Sequence, residues 1–246
     1  MARIHAKAVA HYVDEFDFSG VQNNAEVLVE TDIADATAFA DTDMTYLQGK
    51  GSFAFNFQGF FDGTGGYDAE MFIDLTATQR SVGVYEDNVG GAKGYEGQTN
   101  VSRQARASEK GSAIVLNVDW LGDAVIHRAV LLDVDTAVGA TANGTEREHG
   151  ASGADETLRG VLRLLAAPGG AGNNTLDVTI ESDTTGFPSA TTRLTFAQLS
   201  QASSASFEVV TSRTTVTDTF WRQVYTYAGA GSRTFSLVTA FGIYLT

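Results

Sequence analysis

The sequence predicts a mainly β protein, and three observations lead there. Apolar and polar residues alternate with period two over several long stretches. Glycine is abundant, at 26 of 246 residues, while only two prolines occur, a balance that suits strands joined by glycine turns. The apolar share of 43% is ordinary for a chain with a packed core.

Residues 25–31 alternate Ala25, Val27 and Val29 against Glu26 and Glu30. Residues 52–61 set Phe53, Phe55, Phe57 and Phe61 on one face and Ser52, Asn56 and Gln58 on the other. Each reads as a half-buried strand with one wet face. Residues 67–76 depart from this pattern, with Tyr67, Met71, Phe72 and Leu75 at helical spacing and Asp68 and Glu70 near the start. Early acids suit the helix dipole, so one short helix is expected there. Residues 113–120 alternate Ile114, Leu116, Val118 and Trp120 against Asn117 and Asp119. Gly122-Asp123 is then expected to turn the chain into a hairpin with residues 124–134.

Residues 136–156 are small, polar and charged, the composition of a linker or long loop. Strands are expected again at 158–165, 175–182, 192–199, 206–211, 219–227 and 233–245. The resulting division is one β domain at 1–135 and a second at 157–246, with the linker between them.

Composition excludes several classes of function. Cysteine is absent, which removes disulfides, thiol catalysis and thiolate metal sites. No run approaches the ~20 apolar residues that cross a bilayer. The opening Met1-Ala2-Arg3-Ile4-His5 lacks the apolar stretch of a signal peptide, so a cytoplasmic origin and no membrane partner are expected. The formal net charge is −14, which opposes nucleic-acid binding by phosphate neutralisation. Residues 8–49 contain no Lys or Arg but carry Asp14, Glu15, Asp17, Glu26, Glu30, Asp32, Asp35, Asp41 and Asp43. A solvated acidic face explains this plainly; a surface that repels something anionic is the functional reading.

The residues that carry chemistry form no recognisable constellation. His5, His11, His127 and His149 lack metal-ligand spacing. His127 falls on the polar phase of a strand and His149 in the linker, so structural or solvent roles are expected. Asp41-Thr42-Asp43 and Asp133-Val134-Asp135 could touch a divalent cation, but neither continues into a calcium loop. Gly63-Thr64-Gly65-Gly66 is a lone glycine turn ahead of the expected helix. No nucleophile elbow, phosphate loop or dinucleotide fingerprint occurs. No catalytic residue, cofactor or metal is assigned, and an enzyme is not expected. Trp221, Tyr225 and Tyr227 share one strand phase, which fits either a carbohydrate-stacking platform or burial against a second sheet; burial is the expectation.

One set of residues carries a resemblance. The block Phe16-Asp17-Phe18-Ser19-Gly20 and Asn23-Asn24 runs on through Ala34-Asp35-Ala36-Thr37-Ala38-Phe39-Ala40-Asp41-Thr42. It closes at Gly59-Phe60-Phe61-Asp62-Gly63. This resembles the opening of major tail proteins of long-tailed, siphovirus-like bacteriophages, the tail tube proteins. The later half is similar to members with an appended β domain, through the Leu176–Ser182 and Phe235–Tyr244 strands. Ala40 stands where glycine is common, and Gln48-Gly49 where Pro-Gly is frequent.

The resemblance implies a tail-tube-type β-sandwich or barrel with one short flanking α-helix, plus a C-terminal β-sandwich domain. It implies a homo-oligomer, commonly hexameric rings, stacked into a tube in the virion tail and assembled in the host cytoplasm. Its partners would be tape measure, tail-tip and terminator proteins, with genomic DNA passing through the lumen without specific binding. An acidic bore would keep DNA from adhering, so Glu26, Glu30, Asp32 and Asp35 are expected to line it. The segment carrying Asp43, Tyr46, Gln48 and Lys50 is the candidate for ring stacking, while Phe53, Phe55 and Phe57 are expected in the core. Two other classes stay open at this point: a carbohydrate-binding or adhesin β-sandwich module, and a capsid decoration protein. The first would expose aromatic platforms; the second would form a lattice or trimeric spikes.

Overall fold

The computed structural model describes residues 9–37, 44, 46–60, 79–110, 112–166, 168, 173–229 and 234–245. Among the described residues all regular structure is strand. In chain order these are β1 (Ala10–Val13), β2 (Phe16–Asp17), β3 (Gln22–Asp35), β4 (Tyr46–Phe60), β5 (Arg80–Tyr85), β6 (Lys93–Ala107), β7 (Val115–Val138) and β8 (Ala142–Asn143). They continue as β9 (Arg147–Glu148), β10 (Glu156–Ala166), β11 (Thr175–Asp183), β12 (Thr191–Thr195), β13 (Leu199–Ser200), β14 (Ser206–Ser212), β15 (Phe220–Ala228) and β16 (Phe235–Leu245). The helix expected at 67–76 lies outside the described residues.

The chain forms two compact units, and each is assembled from separated stretches. One comprises residues 1–20, 81–97 and 126–246; the other comprises 21–80 and 98–125. The boundaries drawn from composition, 1–135 and 157–246, cut the chain differently.

The larger unit is built from two sheets. One runs β14-β10-β16-β7-β6-β5-β1-β2, and the other runs β12-β11-β15-β8 with β13 and β9 attached. Alternation along β11 and β15 points Leu176, Val178, Ile180, Trp221 and Tyr225 at Leu158, Leu162, Leu164, Leu237 and Phe241 of the first sheet. Burying side chains of this size contributes about 1.5–3 kcal/mol each. Trp221 stacks on Phe241 at 4.2 Å between ring centroids, and its Nε1 donates to the Gly150 carbonyl at 2.8 Å. Tyr225 donates its hydroxyl to Asp133 Oδ2 at 3.0 Å. That bond assigns a structural duty to an acid of the Asp133–Asp135 pair. Tyr225→Phe leaves the carboxylate without this donor and is expected to cost about 2 kcal/mol in urea unfolding.

The opposite face of the first sheet is buried as well. Tyr12 and Tyr85 pack with Leu131, Val161 and Val238. β10 and β1 are well separated in strand order, yet Arg163 of β10 lies 5.6 Å from the Tyr12 ring centroid. Within this unit the sheet therefore curls far enough for its concave face to close on itself.

Residues 136–156 are laced to the second sheet despite their linker-like composition. Ala142 and Asn143 pair with Tyr225 and Val224, Arg147 and Glu148 with Trp221 and Phe220, and Ser152 bridges to Val216. Small polar residues offer little apolar surface, but each brings a backbone donor and acceptor that a neighbouring edge can use.

The smaller unit holds β3, β4 and the adjoining stretches of β6 and β7. The expected hairpin at Gly122-Asp123 is corrected here: β7 runs unbroken through this point from Val115 to Val138. Gly122 has a different reason to be glycine. A Cβ there would lie 2.3 Å from the Phe53 ring, so the missing side chain admits the ring of the neighbouring strand.

Candidate functional site

The smaller unit presents a sheet with one dry face, one wet face and a long edge. β3 pairs antiparallel with β4 from Gln22↔Gly59 to Asp35↔Tyr46, and β4 pairs with β7 from Ala54↔Leu121 to Phe60↔Val115. β6 adjoins the other side of β7, where Ser102 Oγ donates to the Asp119 carbonyl at 3.0 Å.

The dry face carries Phe53, Phe55, Phe57, Val118 and Trp120, all buried. Phe55 stacks on Phe57 and meets Phe53 edge-on at 5.8 Å. The expectation of core placement for these three phenylalanines holds. The wet face carries a row across four strands. Glu26 is opposite Asn56, Asn56 is opposite Asp119, and Arg103 reaches Asp119 at 3.7 Å. Asn56 Nδ2 also donates to Glu26 at 3.3 Å.

Among the described residues β3 pairs with β4 alone. Its other side is an edge of 14 residues, and long unprotected edges are templates for pairing with another chain. The dry-face row runs out along this edge: Val29 is 58% exposed and Ile33 68% exposed, a poor arrangement for a chain that stays alone.

The four residues expected to line a bore are all on β3. Glu26, Glu30 and Asp35 are exposed; Asp32 is part of the strand. Asp35 accepts from the Thr37 hydroxyl and backbone N–H at 2.5 and 2.9 Å, and these bonds hold its carboxyl below the ordinary value. For the stacking segment, Tyr46, Gln48 and Lys50 lie on β4, and Asp43 lies outside the described residues. Trp221 and Tyr225 are 0% and 3% exposed, which removes them as a platform for sugars.

A second concentration of polar chemistry lies inside the curled sheet of the larger unit, and sequence reading missed it. Arg163 and Glu96, each with 0% side-chain exposure, form an ion pair at 2.8 Å. Arg163 Nη1 and Nη2 reach the two Glu96 oxygens at 2.8 and 3.0 Å. Tyr85 donates to the same carboxylate, and Ser81 Oγ adds a longer contact at 3.4 Å. Burial would push the Glu96 carboxyl up, but Arg163's charge and hydrogen bonds outweigh it and hold it below the ordinary value. His127 is 4% exposed, and burial followed by the charge of Arg159 pushes its imidazole down to about 3. Its place on a polar strand phase turns out to face this interior. The signal was Arg159 and Arg163 at even spacing in an otherwise apolar strand, a pattern that composition alone does not separate from a wet face.

No protein-family model matches the chain, and no curated protein matches it. Two solved structures are similar over 51% of this chain and 97% of theirs. One is the virion of a native gene transfer agent particle (11% identity, TM-score 0.43). The other is the tail of an empty gene transfer agent particle refined with C6 symmetry (12% identity, TM-score 0.41). The SPP1 Dit protein, a hub of the adsorption apparatus in phages of Gram-positive hosts, is similar over 97% of this chain and all of that one (9% identity, TM-score 0.35).

Proposed function

We propose that this chain is a structural, non-catalytic subunit of a virion tail, and more specifically a tail tube protein that assembles into stacked rings. The observation that carries the reading is the β3 edge: 14 residues long, bonded on one side among the described residues, free of Lys and Arg, and exposing Val29 and Ile33. The edge can be completed by a strand of a neighbouring copy, which satisfies its backbone groups and covers both apolar side chains. The motif resemblance at Phe16–Gly20, Ala34–Thr42 and Gly59–Gly63 supports the same class.

In this reading the wet face turns to the bore. Glu26, Glu30 and Asp32, on one phase of β3, meet passing DNA with like charge and release no counterions, so phosphates do not adhere. Asp35 falls on the other phase, with Val29 and Ile33, at the end of the strand. The segment of Asp43, Tyr46, Gln48 and Lys50 contacts the next ring. Six subunits per ring, and tape measure, tail-tip and terminator proteins as partners, follow from the resemblance.

Negative-stain microscopy and size exclusion of the purified chain test the proposal. Concentrated wild-type protein is expected to form rings with a central hole or hollow fibres. Val29→Lys combined with Ile33→Lys places charge on exposed positions and is expected to keep the chain monomeric with its melting temperature within about 2 °C. Glu26→Lys with Glu30→Lys should still form rings but slow DNA ejection from assembled particles. Wild-type material that stays as single molecules, both concentrated and in the particle, overturns the reading.

A further inference from the structure

Glu96 is shared unequally by two arginines on one strand. Arg163 takes both of its oxygens, and Tyr85 and Ser81 add to the same carboxylate. A carboxylate has about four lone-pair sites to offer, so nothing is left for Arg159. That side chain is 4% exposed, and its Nε and Nη2 are buried with no hydrogen-bond partner. Both ring nitrogens of His127 are also buried without a partner.

These orphans lie on one face. Arg159 is directly opposite Gly242 on β16, and Gly242 is opposite Ala129 on β7, two residues from His127. A Cβ at Gly242 would meet the His127 ring at 2.2 Å from Cδ2 and 2.9 Å from Nε2. Tyr244 flanks the imidazole at 5.5 Å. The imidazole therefore lies over Gly242, in the space that a side chain there would fill, on the sheet face that also carries Arg159.

Nε and Nη2 form the side edge of a guanidinium, the edge that grips a carboxylate with two parallel bonds. Two other arginines of this chain satisfy the same edge with oxygen acceptors, a carboxylate among them in each case. Arg222 places Nε and Nη2 on Glu181 Oε2 at 3.3 and 3.0 Å. Arg193 places the same pair on Ser182 Oγ and Asp218 Oδ2 at 2.8 and 3.0 Å. Arg159 has the grip without the anion.

We infer that the Arg159 edge, with His127 beside it, is a binding site for a small planar monoanion of formate or nitrate size taken up from solution. The anion accepts from Nε–H and Nη2–H, and His127 can donate one ring N–H to it. It thereby meets donors that are costly to leave buried and unmade.

The test is a melting series of the full chain in sodium formate at constant ionic strength, balanced with sodium gluconate, whose anion is too large for the site. The melting temperature is expected to rise by about 3 °C or more as formate goes from 1 to 100 mM, roughly the scale of ligand linkage in a chain of this size. The His127 ring resonances should shift along the same titration. Arg159→Met should abolish both responses. Should that variant fail to fold, the wild-type resonances still decide. Equal melting curves and unmoved His127 resonances in formate and gluconate overturn the site, leaving water as the partner of these donors.

Discussion

Glu96→Gln is expected to cost about 3–5 kcal/mol, because it leaves the Arg163 guanidinium buried without a counter-charge. A loss of that size is a large share of the 5–15 kcal/mol that holds a typical protein folded. It should appear in urea unfolding followed by circular dichroism as a lower midpoint with little change in slope. The double variant Glu96→Leu with Arg163→Met removes both charges and should recover most of the loss, since an apolar pair of similar volume can match a buried ion pair. If the double variant is as unstable as the single one, packing at these positions matters more than charge.

The pH dependence has a definite sign. Burial pushes the Glu96 carboxyl up, Arg163 pulls it down further, and the net folded value lies below the ordinary 4.5. A carboxyl depressed by folding contributes stability above its unfolded pKa, and that contribution is lost as pH falls through the folded value. Wild-type stability should thus fall as pH drops below about 4.5 and continue falling toward the lowered folded value. The Leu/Met double variant should show a shallower acid loss over the same window.

Gly122→Ala is expected to be a damaging small substitution in the other unit. The new methyl would sit 2.3 Å from Phe53 Cε1, and Phe53 is packed edge-on against Phe55, which is fully buried. Neither ring can yield without displacing the other. Overpacking of this kind costs about 1–3 kcal/mol. Phe53→Leu shortens the obstructing side chain, so the double variant should be more stable than the sum of the two single losses. Additive losses would show that the ring and the glycine do not meet. An ordinary turn glycine, as composition suggested, would tolerate alanine without any dependence on residue 53.

Several elements were legible because one periodicity dominated them. Residues 25–31 and 52–60, and strands β11 and β15, alternate cleanly, since a two-faced sheet demands it. β1, β5 and β6 were not legible. β1 and β5 are buried almost throughout, and a strand wet on neither face has no alternation to read. β7 misled for another reason: a glycine inside a strand looks like a turn unless the ring it admits is known. The acidic, cation-free character of β3 could be read directly. Its position at an edge could not, because strand order is set by contacts distant in sequence.

The chain contains two tryptophans, and both are fully buried. Trp120 falls in the stretch 98–125 of one compact unit and Trp221 in the stretch 126–246 of the other. Each indole is thus a native fluorophore for its own half of the fold. Replacing one at a time by phenylalanine would leave a single emitter, whose red shift on denaturation dates the opening of that unit alone.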